Sequence, residues 1–398
     1  MMKNYVVTEW GVKGDSTKLQ TKEIQAVLDL CKSEGGTVIF PEGVYHTAGL
    51  YVYSNTTVYL KSGAIVSGCE DCNEYKVFPF PKNEKMYTDP MLFKYLDGVT
   101  AKPERDEYRR AIFSSYAESN IAFYGEQGSL IDGNDCFDEN GEEGFRGPHG
   151  IWMSSCTDIR LEGYETANTG AFHHQLDNCS NVYVKNVRTT AGHDGFHIHL
   201  CKNIHFDDCI METGDDCIAG VNVENMTVEN CYLNTSCSIF RLGGKNIVIR
   251  RCRMQGYGRY VHRYSIIKGK NNILPIDKGR RNTFFVYQFF ASELMPMECG
   301  AKNILIEDCS IDYVDGFLFY LYDSRANLHT GTVFSEITLK NVQITNLQVP
   351  SIVSAAKENP LHINLENVYV SGRNNMDVLL VNETENVLVN CKSGAVEE

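Results

Sequence analysis

The chain has 398 residues, 43% of them hydrophobic and 22% charged, which is enough for a large core. Its formal net charge of −14 argues against a nucleic-acid partner, and no apolar run approaches the length of a membrane span. An anionic substrate stays open, because local basic residues can outweigh net charge at a cleft. The start of the chain lacks the apolar core of an export signal, and many of the fifteen Cys fall at repeating positions. Free, packed thiols in a cytoplasmic protein are therefore expected, or a secreted protein if a leader has been removed.

Residues 1–48 read as a cap leading into a first coil. Thr21-Lys22-Glu23 opens a helix with Ile24, Val27, Leu28 and Cys31 on one face, and Gly35-Gly36 is expected to stop it. Short strands split by Ser, Asn and Gly follow at Leu50–Tyr53, Val58–Leu60 and Ala64–Val66. Residues 67–110 lose this pattern and carry four prolines, which marks a surface excursion.

From about residue 150 to 253 the sequence is periodic. An Asn or Asp recurs before alternating apolar residues at Asp158, Asn181, Asn203, Asn225 and Asn246, in steps of 23, 22, 22 and 21. Alternation means strands with one face buried, and a fixed period near 22 means stacked β-coils. The interval from Asn246 to Asn303 is 57, so 254–300 holds an insertion that is basic and then aromatic, with room for an irregular coil. Coils resume over 301–391.

Phase converts to position, because successive coils stack at roughly 4.8 Å. Nine residues before each repeating Asn lies a column read as Phe172, Asp194, Asp216 and Cys237. Asp194 and Asp216 should then lie on adjacent coils with Asp215 beside them. Carboxylates brought together raise at least one pKa, and a base with a retained proton suits acid/base chemistry. The same Asp-Gly and Gly-Asp pairs also cap turns, which is the competing reading for each segment alone. His193 adjoins Asp194. His197 and His199 alternate with Phe196 and Ile198 and are expected on the outward face, with Gln175 in the phase of His197 one coil earlier. Arg241 lies just past Cys237, while Arg259 falls one period beyond it with Arg263 nearby. These residues are the substrate-binding candidates. No Cys/His spacing matches a zinc site, and no metal or other cofactor is expected.

Several stretches resemble glycoside hydrolase family 28, the polygalacturonase family. Gly11–Gly68 is similar to its opening, Asn120 to Asn134 to its IDGN segment, and Gly192-His193-Asp194-Gly195 stands where it has NTDG. Thr213-Gly214-Asp215-Asp216-Cys217-Ile218-Ala219 matches TGDDCIA throughout. The resemblance implies an all-β, single-domain right-handed parallel β-helix with an N-terminal helical cap and long loop insertions. It implies Asp215 as general acid, Asp194 and Asp216 as the residues that hold and deprotonate the attacking water, and inversion at an α-glycosidic bond. The expected partner is an oligosaccharide or polysaccharide, with the oligomeric state open. This chain departs where the family has a GHG motif, here Ser236-Cys237-Ser238. It also lacks a clear Arg-Ile-Lys motif, for which Arg259-Tyr260-Val261 is the nearest counterpart. A lyase on the same fold and a non-catalytic carbohydrate-binding module are the alternatives.

Overall fold

The computed structural model describes residues 3–77, 110–141, 144–263, 279–290, 300–322, 333–372 and 386–392. Much of the 67–110 excursion and of the 254–300 insertion lies outside the described residues. The chain clusters into two compact units, Met1–His197 and Ile198–Glu398. Each is built of coils whose strands pair in parallel with the equivalent strands of the next coil, as a right-handed parallel β-helix requires.

In the first unit one wall runs Asn4–Val6, Gly36–Phe40, Thr56–Leu60, Ser119–Gly125, Thr157–Glu162 and Ser180–Lys185. A second runs Gly43–Thr47, Ala64–Gly68, Leu130–Asp132, Glu165–Ala167 and Arg188–Ala191. A third runs Leu50–Tyr51, Ala111–Tyr116, His149–Ser154 and His174–Asp177. Pairing of Leu50 with Phe113 shows that the excursion leaves and rejoins without disturbing the stack. The helix starts at Thr21 as expected but ends at Asp29, ahead of Gly35. It covers an open strand edge: the Gln25 amide donates to the Tyr51 carbonyl (3.2 Å) and accepts from the Tyr51 N–H (2.7 Å). Backbone groups that would otherwise invite another chain are thereby satisfied.

The second unit has the same plan. One wall contains Lys202–Asp207, the second half of Ile218–Glu229, the second half of Phe240–Arg250, Lys302–Glu307, Glu336–Leu347 and Leu361–Gly372. Another stacks Phe240–Leu242 under Phe285–Phe289 and then Gly316–Leu321. Lys245 pairs with Lys302 and the Asn303 amide donates to Asn246 Oδ1 at 3.0 Å. The 57-residue interval is thus one enlarged coil, whose other walls are Arg253–Gln255 and Phe285–Phe289. Part of its aromatic run is core: Tyr287 and Phe289 are buried, and Phe289 packs on Tyr320 and Phe334.

The repeating Asn has a physical cause. Asn203, Asn225, Asn246 and Asn303 all sit at φ between 54° and 57°, a left-handed conformation that Asn tolerates better than most residues. Their side-chain amides form a ladder, Asn225 to Asn203 (3.2 Å) and Asn246 to Asn225 (3.0 Å), so one residue fixes both the turn and the stacking. Replacing Asn225 by Ala removes the ladder bonds and keeps the strained turn, while Asn225→Gly removes the bonds only. Both variants should melt below the parent, with Ala about 1 kcal/mol less stable than Gly. Equal melting temperatures for the two would show that the turn conformation is not what selects Asn.

Candidate active site

In the second unit, Asp215 and Asp216 occupy the turn between Ile210–Thr213 and Ile218–Glu229. Both are buried, and an oxygen of each lies within 4.8 Å of the other. The turn is pinned by two threonines: the Thr213 hydroxyl donates to the Asp215 carbonyl (2.6 Å), and the Thr235 hydroxyl donates to the same oxygen. Asp215 Oδ1 accepts the Asp216 N–H at 3.1 Å, and Asp216 Oδ1 accepts the Ser238 N–H at 2.8 Å. Burial first, then the charge of Asp215, pushes the Asp216 carboxyl up to about 6, against opposing pulls from Arg241 and the Ser238 amide. Two carboxyls so placed titrate as a pair, and the pair holds a proton that neither would keep in water.

The register differs from the one counted along the sequence. Ile218 pairs with Phe240, 22 residues on, whereas Val223 pairs with Gly244, 21 on, and the irregularity lies between Gly220 and Val223. Counting back from the Asn column crosses it. Ser238 therefore stands over Asp216, and Cys237 stands level with Asp215. Arg259 is likewise not one coil above Cys237. That place belongs to Phe284, whose N–H donates to the Cys237 carbonyl at 2.8 Å. Arg259 is exposed and its guanidinium grips Glu212 (3.0 and 3.2 Å).

The enlarged coil completes a cleft around Arg241, a residue expected at the site. Arg241 Nη1 is 4.0 Å from Asp216 Oδ2, and its guanidinium lies 4.2 Å over the Phe290 ring. Arg280 lies 4.0 Å over Phe284. With Cys237, Phe285 and Gln288, these two arginines line a cleft of about 340 Å³. His262 brings Nε2 to 3.6 Å from Asp215 Oδ1. The loop carrying it approaches closely at Gly258, where a Cβ would stand 2.0 Å from Ser236 Oγ, so no other residue fits. Arg263 follows His262, and burial lowers its guanidinium to about 10.

Asp194 lies in the first unit, buried, and accepts a hydrogen bond from His197 Nδ1 at 2.5 Å. The His197 ring stacks on Phe172 at 4.1 Å, with the Arg146 guanidinium 4.7 Å above the same Phe172 ring. His197 and His199 are 8% and 3% exposed, so the outward face of this strand is covered rather than solvated. Gly192, at φ +59°, leaves no room for a Cβ, which would meet His173 Nε2 at 2.9 Å. His193 is buried with its ring 5.5 Å from Phe145. Gln175 is buried and donates to Asp177 Oδ1 (2.5 Å), which shares that carboxylate with Trp152 Nε1 (2.7 Å).

Parallel coils whose turns carry buried carboxylates and arginines define the class: a right-handed parallel β-helix protein with its polar chemistry at the turns. The profile described as Glycosyl hydrolases family 28 matches residues 91–254. An exopolygalacturonase of Arabidopsis thaliana is 28% identical over 251 residues, covering 57% of this chain and 50% of its own length. A probable polygalacturonase of Vitis vinifera is 25% identical over 227 residues, covering 54% and 43%. The chain thus spans about half the length of these curated relatives. Two solved structures share the fold: a family 28 exopolygalacturonase of Yersinia enterocolitica (TM-score 0.68, 16% identity, 99% of this chain and 79% of that one) and a hyperthermoactive exopolygalacturonase of Thermotoga maritima (0.69, 14%, 98% and 92%). The chain is thus similar to glycosyl hydrolases family 28 over residues 91–254 and shares the fold of these two solved structures.

Proposed function

We propose that the protein is a glycoside hydrolase that cleaves an α-glycosidic bond next to a uronic acid, in an oligosaccharide derived from pectin, with inversion. The observation that carries this reading is the buried Asp215–Asp216 pair, with the Asp216 carboxyl raised to about 6. A general acid needs a proton held near neutrality, and a general base needs a carboxylate beside it. On the sequence resemblance we assign Asp215 the acid role and Asp194 and Asp216 the attacking water; the proton retained by the coupled Asp215–Asp216 pair is the one Asp215 would donate. The cleft beside the pair supports an anionic sugar. Arg241 and Arg280 present guanidiniums braced on aromatic faces, the geometry that suits a planar carboxylate. Arg259, held by Glu212, is a weaker candidate for that task.

The test is product analysis from oligogalacturonate, rhamnogalacturonan and neutral α-galactoside fragments in H₂¹⁸O. Hydrolysis adds one labelled water to the uronate-containing substrates, and proton NMR of the fresh product shows the β-anomer. Unlabelled fragments summing to the substrate mass would mean elimination and replace the hydrolase by a lyase. Tight binding of all substrates with no bond broken would leave a binding module.

A further inference from the structure

We propose that Asp215, Cys237 and His262 form a binding site for a zinc-like divalent cation, and that occupation of this site switches the enzyme off. Each of the three offers one donor atom, and the three atoms lie within 4.8 Å of one another. His262 Nε2 and Asp215 Oδ1 are 3.6 Å apart. Tetrahedral zinc with oxygen, nitrogen and sulfur ligands at about 2.0–2.3 Å needs ligand separations of roughly 3.3–3.8 Å, so only small closure is required. Cys237 lines the cleft, which gives an ion a path in and leaves the fourth position to water.

The donor set selects the ion. A thiolate with an imidazole favours zinc over calcium or magnesium, which prefer all-oxygen cages. The negative charge of neighbouring Asp216 favours a cation, and the positive charge of Arg241, 4.0 Å from Asp216, opposes one. A second tight His-carboxylate group among the described residues of this unit is closed to ions: Glu229 is already ringed by His205, Arg250 and Arg251. Here the three donors are held by backbone. Thr235 Oγ1 accepts the Cys237 N–H (3.0 Å), the Ser236 hydroxyl donates to the Tyr260 carbonyl, and His262 N–H donates to the Arg280 carbonyl (2.8 Å). Binding would release the thiol proton to solvent and convert the Asp215 carboxyl from proton donor to ligand. The ion site stands on geometry alone, and only its inhibitory effect rests on the hydrolase reading.

The full chain is titrated with Zn²⁺ by calorimetry without substrate, then with Co²⁺ by absorption spectroscopy. One equivalent of Zn²⁺ should bind with proton release, and Co²⁺ should give a sulfur-to-cobalt charge-transfer band with intense tetrahedral visible bands. Cys237→Ser and His262→Asn should each weaken Zn²⁺ binding at least tenfold, and Mg²⁺ should not compete. Absence of the charge-transfer band in the wild-type protein, or unchanged binding in both variants, would overturn the site. In the activity arm, Zn²⁺ should stop turnover and a chelator should restore it; turnover continuing with the ion bound would overturn the switch. Zn²⁺ binding in a protein that cleaves no oligosaccharide supports the site and instead counts against the hydrolase reading.

Discussion

Asp215→Asn should lower kcat/KM on an oligosaccharide by about 10²- to 10⁴-fold, the usual contribution of a positioned acid or base, while leaving the fold intact. The substitution keeps the shape and the acceptor. Asn Oδ1 can still take the Asp216 N–H, and the Asp215 carbonyl keeps its two threonine donors. It also removes one of two buried carboxyls that repel each other, so the melting temperature should hold or rise. Asp216→Asn should do the same to turnover, since its Oδ1 needs only to accept the Ser238 N–H for structure. The two variants separate by leaving group. An activated aryl glycoside needs little proton donation, so loss of an acid should cost far less on it than on a sugar leaving group. Loss of the residue that activates water should cost the same on both. Asp215→Asn is expected to show the first behaviour and Asp216→Asn the second. Turnover within about threefold of the parent for Asp215→Asn, on a confirmed substrate, would remove Asp215 from the chemistry.

The parts of this arrangement that were legible in the sequence are those fixed by one coil. The Asn column could be read because a left-handed turn and an amide ladder both demand Asn at the same place in each repeat, as at Asn203, Asn225 and Asn246. The Asp215–Asp216 turn could be read because it recurs in phase with that column. What was not legible depends on how the chain returns after leaving the repeat. Phe284 sits over Cys237, and Arg280 and Gln288 enter the cleft, because Phe240 pairs with Tyr287 across an interval with no period. Nothing local predicts that register. The one-residue slip between Cys237 and Ser238 has the same character: a bulge after Gly220 shortens the count without leaving a mark in composition. The cover over His197 and His199 escaped the sequence for a different reason. Alternation separates two faces of a strand but does not say that the second face is solvated, and around His197 it is filled by Asp194 and Phe172.

Those covered faces have a consequence for stability in acid. His173 and His174 are completely buried, and burial lowers their pKa to about 4 and about 3. Their hydrogen bonds explain why the neutral rings fit. His174 Nδ1 donates to the Gly195 carbonyl (3.1 Å), Nε2 accepts from the Tyr164 hydroxyl (2.9 Å), and the ring stacks on Phe196 at 4.1 Å. His173 Nε2 donates to the Ala191 carbonyl (3.0 Å), and among the described residues its Nδ1 has no acceptor to receive a second N–H. In the unfolded chain both would titrate near 6.5. Folded pKa values below unfolded ones mean that the unfolded state takes up protons first. Stability is then complete above about pH 6.5 and falls as the pH drops toward 4. By pH 4.5 each ring should have cost roughly 2–3 kcal/mol. The window lies above the range in which ordinary carboxylates titrate, so the two effects can be separated. Denaturant unfolding at pH 7.0, 5.5 and 4.5 should show this decline in the parent. His174→Gln, neutral throughout, should be less stable at pH 7.0 through lost packing but should lose roughly 2 kcal/mol less between pH 7.0 and 4.5. Parallel curves for the two proteins would place the acid sensitivity elsewhere. Because His173 N–H donates to the Asp194 carbonyl at 2.9 Å, charging these rings should loosen the Asp194 segment before the chain unfolds. Hydrogen exchange at residues 191–197 should then rise between pH 6.5 and 4.5 in the parent, after correction for intrinsic rates, and rise less in His174→Gln.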